Sequence, residues 1–411
     1  MSGKGAIKAT QKGDGGGGGM SSEDALELAK ATAEVAAAAA LVVQTMDVLQ
    51  SAEKWAAGLG VLGPVIGVAS LIVKLALGNQ DSPEMAFMKE EFQAVRQHLD
   101  MITEQVSEVL QEIEKSTVNN QYFPIEENIK SQFRKYIDIL DAKEEYREKE
   151  TEEFLKHFDS SKADQNLHTL YDGIMGTTAI FGKSILDTAM NFDQRNRRLM
   201  ESLCARLNDL FCIGLIAVLG HAGITGNDAK ALEDEWNEKL EKMKNRMQEM
   251  VDRCINEFAE QAEIEIKNLV KKRGKKYHVD CTTYLLDHLK KKYNWVWWAV
   301  RVYDPLTGSD AHYVLGRNHF TIFGVSNMNV VISYSTNPKP IDSTHIVNLM
   351  KGKDGWNDAK AVAEHIFKNL GSEHLVHTVK RFSALWEINT LGPRYYFFKT
   401  YGGVTLCVHT P

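Results

Sequence analysis

The sequence predicts a mainly α-helical protein, with an N-terminal bundle of long amphipathic helices that includes one apolar helical segment. A smaller α+β domain follows at the C-terminal end. Three observations carry this expectation. Apolar residues recur at steps of three and four over residues 88–113 and 232–258, the pattern of a helix with one buried stripe. Residues 55–73 pass without a charge. Beyond residue 276 the texture changes to aromatic and β-branched clusters separated by turn residues, which is strand chemistry.

Residues 1–21 are Gly-rich, with Gly15 to Gly19 consecutive, and read as a disordered leader. Met20 is an alternative start. Ser21 and Ser22 precede Glu23 and Asp24, an N-cap with an acidic first turn for a helix over 22–57. Its stretch from Val35 to Met46 is uncharged and Ala-rich, suited to close packing on another helix. The run WAAGLGVLGPVIGVASLIV, residues 55–73, would span roughly 28 Å as one helix, near the ~30 Å hydrocarbon thickness. Gly63 and Gly67 form a GxxxG pair. Gly60 to Pro64 equally suits the turn of an apolar helical hairpin with arms 35–57 and 65–77. Gly78, Asn79 and Pro83 supply the stop.

Residues 84–116 form the next expected helix. Met88, Phe92, Val95, Leu99, Ile102, Val106, Val109 and Ile113 make a coiled-coil-like seam. A helix over 125–158 follows Pro124 at the first helical position, with Ile125, Ile129, Phe133, Tyr136 and Leu140 on its apolar face. Residues 165–223 hold further helix. Leu210 to Gly226 is a second uncharged run, short for a membrane span and best read as a buried core helix. Residues 228–273 are the clearest long helix, carrying Leu232, Trp236, Leu240, Met243, Met247, Met250, Cys254 and Phe258 at helical steps. KNLVKKR before Gly274 suits its C-terminus. These elements define an expected helical domain over 22–274. The α+β domain is expected over 277–411, with strands at 295–303, 319–324 and 329–334. It also holds a helix from Asp358 to Leu370 ending at Gly371, and a hairpin over 395–409 around Gly402-Gly403.

Composition narrows the functional classes. Of 411 residues, 44% are hydrophobic and 25% charged, and the net charge is −7. From Tyr277 onward there are 14 basic and 10 acidic residues, net +4; the rest holds 34 and 45, net −11. A mildly acidic chain is a poor nucleic-acid binder. The five cysteines include no CxxC pair, so neither a zinc knuckle nor a disulfide framework is expected, and a reducing compartment fits. The first residues lack the apolar core of a signal peptide, and Ser2 stands where myristoylation needs glycine. The expected location is therefore cytoplasmic, with membrane association or secretion by a non-conventional route left open. No P-loop, dinucleotide or nucleophile-elbow motif has a fitting context, so neither an enzyme nor a cofactor is expected. Glu373-His374-Leu-Val-His377 has a helical metal-pair spacing but no third ligand. Cys407 and His409 share a strand face, which is insufficient for a Cys–His nucleophile.

Two groups of candidate site residues remain. The membrane-inserting candidates are Ala56, Leu59, Val61, Leu62, Gly63, Pro64, Val65, Ile66, Gly67, Val68, Leu71, Ile72 and Val73; their bland alternative is a buried bundle helix. The candidates for contact with lipid headgroups or a partner are Lys271, Lys272, Arg273, Lys275 and Lys276, together with Trp295, Trp297 and Trp298. Their bland alternatives are a solvated helix end and a core strand with Trp297 buried.

The apolar segment followed by DSPE, a long helix and then STVNNQYFPIEENIK, within residues 69–142, resembles the rapunzel family of fish proteins. At the level of architecture the chain is also similar to cephalotoxin-like proteins and helical pore-forming toxins. The resemblance implies a helical N-terminal domain, a link to skeletal and fin development, no enzymatic activity, and no motif of functional residues to carry over. The leading expectation is a membrane-interacting, pore-former-like protein. It would hide Ala56–Leu77 against the heptad helices and oligomerise through the Met88–Ile113 seam. The alternative is an intracellular coiled-coil scaffold or developmental signalling protein with a C-terminal protein-binding module.

Overall fold

The computed structural model describes residues 83–411 apart from 228, 274–277, 354 and 382. The leader, the helix expected over 22–57 and the run 55–73 lie outside the described residues. Among the described residues nine helices precede the first strand: α1 Pro83–Ser116, α2 Tyr122–Asp141, α3 Glu144–Ser161, α4 Ala163–Met175, α5 Ile185–Phe192, α6 Arg197–Thr225, α7 Ala229–Asn256, α8 Phe258–Arg273 and α9 His278–Lys292. The α+β part follows: β1 Trp297–Tyr303, β2 His312–Leu315, β3 His319–Val325, β4 Met328–Ser335, α10 Ser343–Leu349, α11 Ala359–Leu370, β5 Leu375–Lys380, β6 Leu385–Asn389, β7 Tyr396–Tyr401 and β8 Val404–His409. The expected class, mainly helical with a C-terminal α+β region, is the observed one.

The chain forms two compact units. Of the described residues, one comprises those up to 101 with 123–170 and 205–241; the other comprises 102–122, 171–204 and 242–411.

In the first unit, the apolar face expected for α2 is the buried one: Ile125, Ile129, Phe133, Tyr136 and Leu140 are all inside. The single helix expected over 125–158 is instead two, broken at Ala142-Lys143, where Lys143 is extended. After Leu140 the apolar stripe lapses until Phe154, with only Ala142 and an exposed Tyr146 between. Nothing therefore ties a straight continuation to the core. The uncharged run of α6 is buried on every side, from Leu210 to Leu219, as a core helix must be. Its glycines are close-approach positions. A Cβ at Gly214 would stand 2.7 Å from Leu167, and one at Gly220 would stand 2.6 Å from the Tyr136 ring. Trp236 of α7 fills the same unit, stacked on His168 at 4.7 Å.

In the second unit, Met243, Met247, Met250 and Cys254 continue the buried stripe of α7. The helix expected to run unbroken through 228–273 bends at Glu257, between α7 and α8. Glu257 pairs with Arg195 and Arg253, and the next residue, Phe258, is seated among four aromatic rings. These contacts fix the bend.

The α+β part is layered. Sheet one has strand order β3-β4-β1-β6 and sheet two β2-β5-β8-β7. All pairings are antiparallel. One face of sheet one, through Trp298, Val300, Val302, Phe320, Ile322, Val330 and Ile332, shares a core with α8 and α9. One face of sheet two, through Val376, Phe397, Leu406 and Val408, shares a core with α10 and α11. The opposite faces of the two sheets meet, Ala299 with Tyr396 and Cys407, and Tyr303 and Val331 with Val379. The order is helices, sheet, sheet, helices. The expected turn at Ser326-Asn327 is a two-residue hairpin with both residues at positive φ, the type I′ geometry that matches strand twist. The hairpin at Gly402-Gly403 joins β7 to β8. The Asp358 carboxylate caps α11, accepting from the Ala361 N–H at 3.0 Å.

Glu265 ties α8 to α9. It accepts hydrogen bonds from Gln261, His288, Lys292 and the Tyr293 hydroxyl, and Lys292 also reaches Asp193 at 2.6 Å. Burial alone would raise its carboxyl. The hydrogen bonds from His288, Lys292 and Gln261, with the Lys292 charge, outweigh burial and bring it down to about 2 from 4.5. A depressed carboxylate contributes stability that is present above pH 4.5 and lost as pH falls toward 2. Urea unfolding between pH 5 and pH 2 should therefore show wild type losing about 3 kcal/mol more than Glu265→Gln. Equal losses would remove this role.

Candidate functional site

The sequence-derived site residues fall in three places. The inserting candidates from Ala56 to Val73, with Lys275 and Lys276, lie outside the described residues. Lys271, Lys272 and Arg273 form the last turn of α8, where cations suit the exposed carbonyls of a helix C-terminus. Lys271 and Lys272 are exposed. Arg273 is half-buried, its guanidinium 4.4 Å from the centre of the Tyr284 ring on α9.

The tryptophans sit at the other end of the same helix. Phe258, the first residue of α8, meets Trp295 edge-on at 4.8 Å and Trp298 at 5.9 Å, with Tyr293 and Tyr334 completing the nest. Thirteen residues of helix separate Phe258 from Lys271, about 20 Å. Lys271 to Arg273 therefore do not form one patch with Trp295 and Trp298. Trp298 is fully buried, its Nε1–H donating to the Tyr293 carbonyl at 3.3 Å. Trp295 is half-buried under the Arg197 guanidinium, 5.4 Å from the ring centre. Trp297 is 39% exposed. Trp297, expected inside, is exposed, while Ala299, Arg301 and Tyr303 on its face are buried along with the opposite face. Both faces of β1 are covered, one by helices and one by the second sheet, so strict alternation does not mark the buried side.

The His374–His377 pair read at helical spacing stands on and beside a strand, since β5 begins at Leu375. Three residues along a strand turn side chains to opposite faces, so the two rings are not a helical pair. Among the described residues no group of His, Cys, Asp and Glu could hold a metal ion. Cys407 and His409 do share a face of β8, as alternation requires. Burial pushes the Cys407 thiol up and the His409 imidazole down to about 4, so neither is poised as a nucleophile and base. The five thiols are buried and unpaired with one another.

Sequence reasoning passed over a charged group inside the first unit. Arg206 of α6 is completely buried, and its Nη2 donates to Glu126 Oε1 of α2 at 2.5 Å. Lys130 reaches the same oxygen at 2.6 Å. Burial would raise the Glu126 carboxyl, but the hydrogen bonds and charges of Arg206 and Lys130 bring it below its ordinary value. The signal available in the sequence was an arginine flanked by Leu203, Leu207 and Leu210.

The fold is that of a mainly helical protein with a C-terminal α+β region. Residues 78–275 match the model of the cephalotoxin-like middle helical domain. The chain is 40% identical over 209 residues to Protein rapunzel of Danio rerio, covering 51% of this chain and 92% of that relative. The chain belongs to the rapunzel family. No solved structure matches it.

Proposed function

We propose that the protein acts on membranes in the manner of a helical pore former, hiding an apolar segment in its soluble form and inserting it into lipid. The observation that carries this reading is the match of residues 78–275 to a cephalotoxin-like helical domain, directly after the uncharged run 55–73. That run has the length for a bilayer span, and as a hairpin its two arms would enter together.

Helix α6 is also long and apolar enough to cross a membrane by length and composition. Its apolar window is wholly buried, and its glycines are fitted to Leu167 and Tyr136, which supports a core role. The inserting element is therefore assigned to 56–77. In this mechanism the apolar segment is shielded on the heptad helices, and contact of exposed residues such as Lys271, Lys272 and Trp297 with lipid releases it. The seam from Met88 to Ile113 then serves assembly of several copies. The test is dye release and co-sedimentation with vesicles of anionic or neutral lipid across pH. Release is expected, and its absence together with no co-sedimentation would contradict the proposal.

A further inference from the structure

The two outer interfaces of the α+β part are apolar, but the layer between the sheets is mixed, with buried polar side chains beside Ala299, Val331 and Val379. Alternation along β1 and β4 turns Arg301, Tyr303, Ser333 and Ser335 away from α8 and α9, and all four are completely buried. Across the layer β5 and β8 contribute His377 and His409, also completely buried.

Arg301 is central. Its Nη2 donates to Ser333 Oγ at 2.6 Å, and the same hydroxyl lies 2.7 Å from His409 Nε2. Its Nε and Nη1 have no hydrogen-bond partner, nor do the Tyr303 hydroxyl, the Ser335 hydroxyl or either ring nitrogen of His377. The Tyr303 and His377 rings are 5.9 Å apart, and Tyr303 is two residues along the same strand face from Arg301.

The charge balance is equally incomplete. No carboxylate within 4 Å pairs with Arg301 among the described residues. Glu387, opposite Arg301 on β6, is half-buried and accepts from Asn389 Nδ2 at 2.8 Å. Burial, then the Arg301 charge with His312 and His319, holds His377 far below the ordinary imidazole range, and burial lowers His319 and His312 as well. The layer thus carries an arginine cation among neutral rings and the Cys407 thiol, with the Glu387 carboxylate acting on it only from beyond ion-pair distance. Buried polar groups are normally satisfied by protein, water or ligand, and a buried cation without a counter-charge is costly.

We propose that the layer between the two sheets binds a small oxyanion, a carboxylate or phosphate group, with Arg301 as counter-charge and Tyr303 as hydrogen-bond donor. The site is independent of the membrane reading. The test titrates the full chain with inorganic phosphate and, separately, acetate against sodium chloride of equal ionic strength, followed by calorimetry and thermal unfolding. Saturable binding of at least one oxyanion at one per chain is expected, with a rise in melting temperature that chloride does not reproduce. Arg301→Met should abolish it, and Tyr303→Phe should weaken it about 5- to 10-fold. If neither anion saturates, or if Arg301→Met binds as wild type does, the proposal is overturned. Should Arg301→Met fail to fold, Tyr303→Phe decides: unchanged affinity overturns the site, and reduced affinity with an intact fold supports it.

Discussion

Replacing Arg206 with methionine is expected to destabilise the protein by about 3–5 kcal/mol. The cost comes from what the substitution leaves behind. Glu126 is 4% exposed, and its second carboxylate oxygen already has no partner. Arg206 supplies its closest hydrogen bond, and Lys130, partly exposed, is the cation that remains. Removing one member of a buried pair strands the other in a low-dielectric interior, whereas removing both exchanges polar atoms for packing. The double change Arg206→Met with Glu126→Leu should therefore recover most of the loss. Urea unfolding followed by circular dichroism measures all three. A single variant within about 1 kcal/mol of wild type would show the pair to be of little consequence.

Phe258→Ala is expected to cost about 3–5 kcal/mol as well, for a different reason. Phe258 opens α8 and lies within 6 Å, ring centre to ring centre, of Tyr293, Trp295, Trp298 and Tyr334. Each edge-on pair adds about 0.5–1.5 kcal/mol beyond burial, and an alanine would leave a cavity that rigid indoles cannot close. The near-ultraviolet circular dichroism of the tryptophans should weaken together with stability. A loss below about 1 kcal/mol with unchanged aromatic signal would mean that the nest repacks, contrary to its role in fixing the bend at Glu257.

Periodicity made much of the helical region legible. Leu99, Val106, Val109 and Ile113 of the expected seam are buried, as are Trp236, Leu240, Met243, Met247 and Met250 of α7. Helical spacing reports which residues share a face, and those faces are the ones covered. The interruptions were not legible. Neither Ala142-Lys143 nor Glu257 carries glycine or proline, and the bend at Glu257 is fixed by Arg195 and by rings distant in sequence. Strands β2, β5 and β6 are short, four to six residues, and His377 of β5 lies buried in the layer between the sheets, where alternation does not read as half-buried strand. For the same reason nothing in WVWWAVRVY marks Arg301 as interior, although it is fully buried. A side chain's charge says where it is usually found; only tertiary packing places Arg206 and Arg301 inside.

In the proposed mechanism residues 56–77 enter lipid. Dye release from anionic vesicles by wild type, Val65→Asp and Ile72→Asp tests it most directly. A charge at mid-bilayer costs about 2.5–3.5 kcal/mol on insertion scales, equivalent to about a 100-fold loss in insertion equilibrium. Release by wild type and its loss in both variants, with unchanged helical content, is the predicted result. Undiminished release by both variants would contradict the assignment of the inserting segment, and no release by wild type under any lipid or pH condition would contradict membrane action itself.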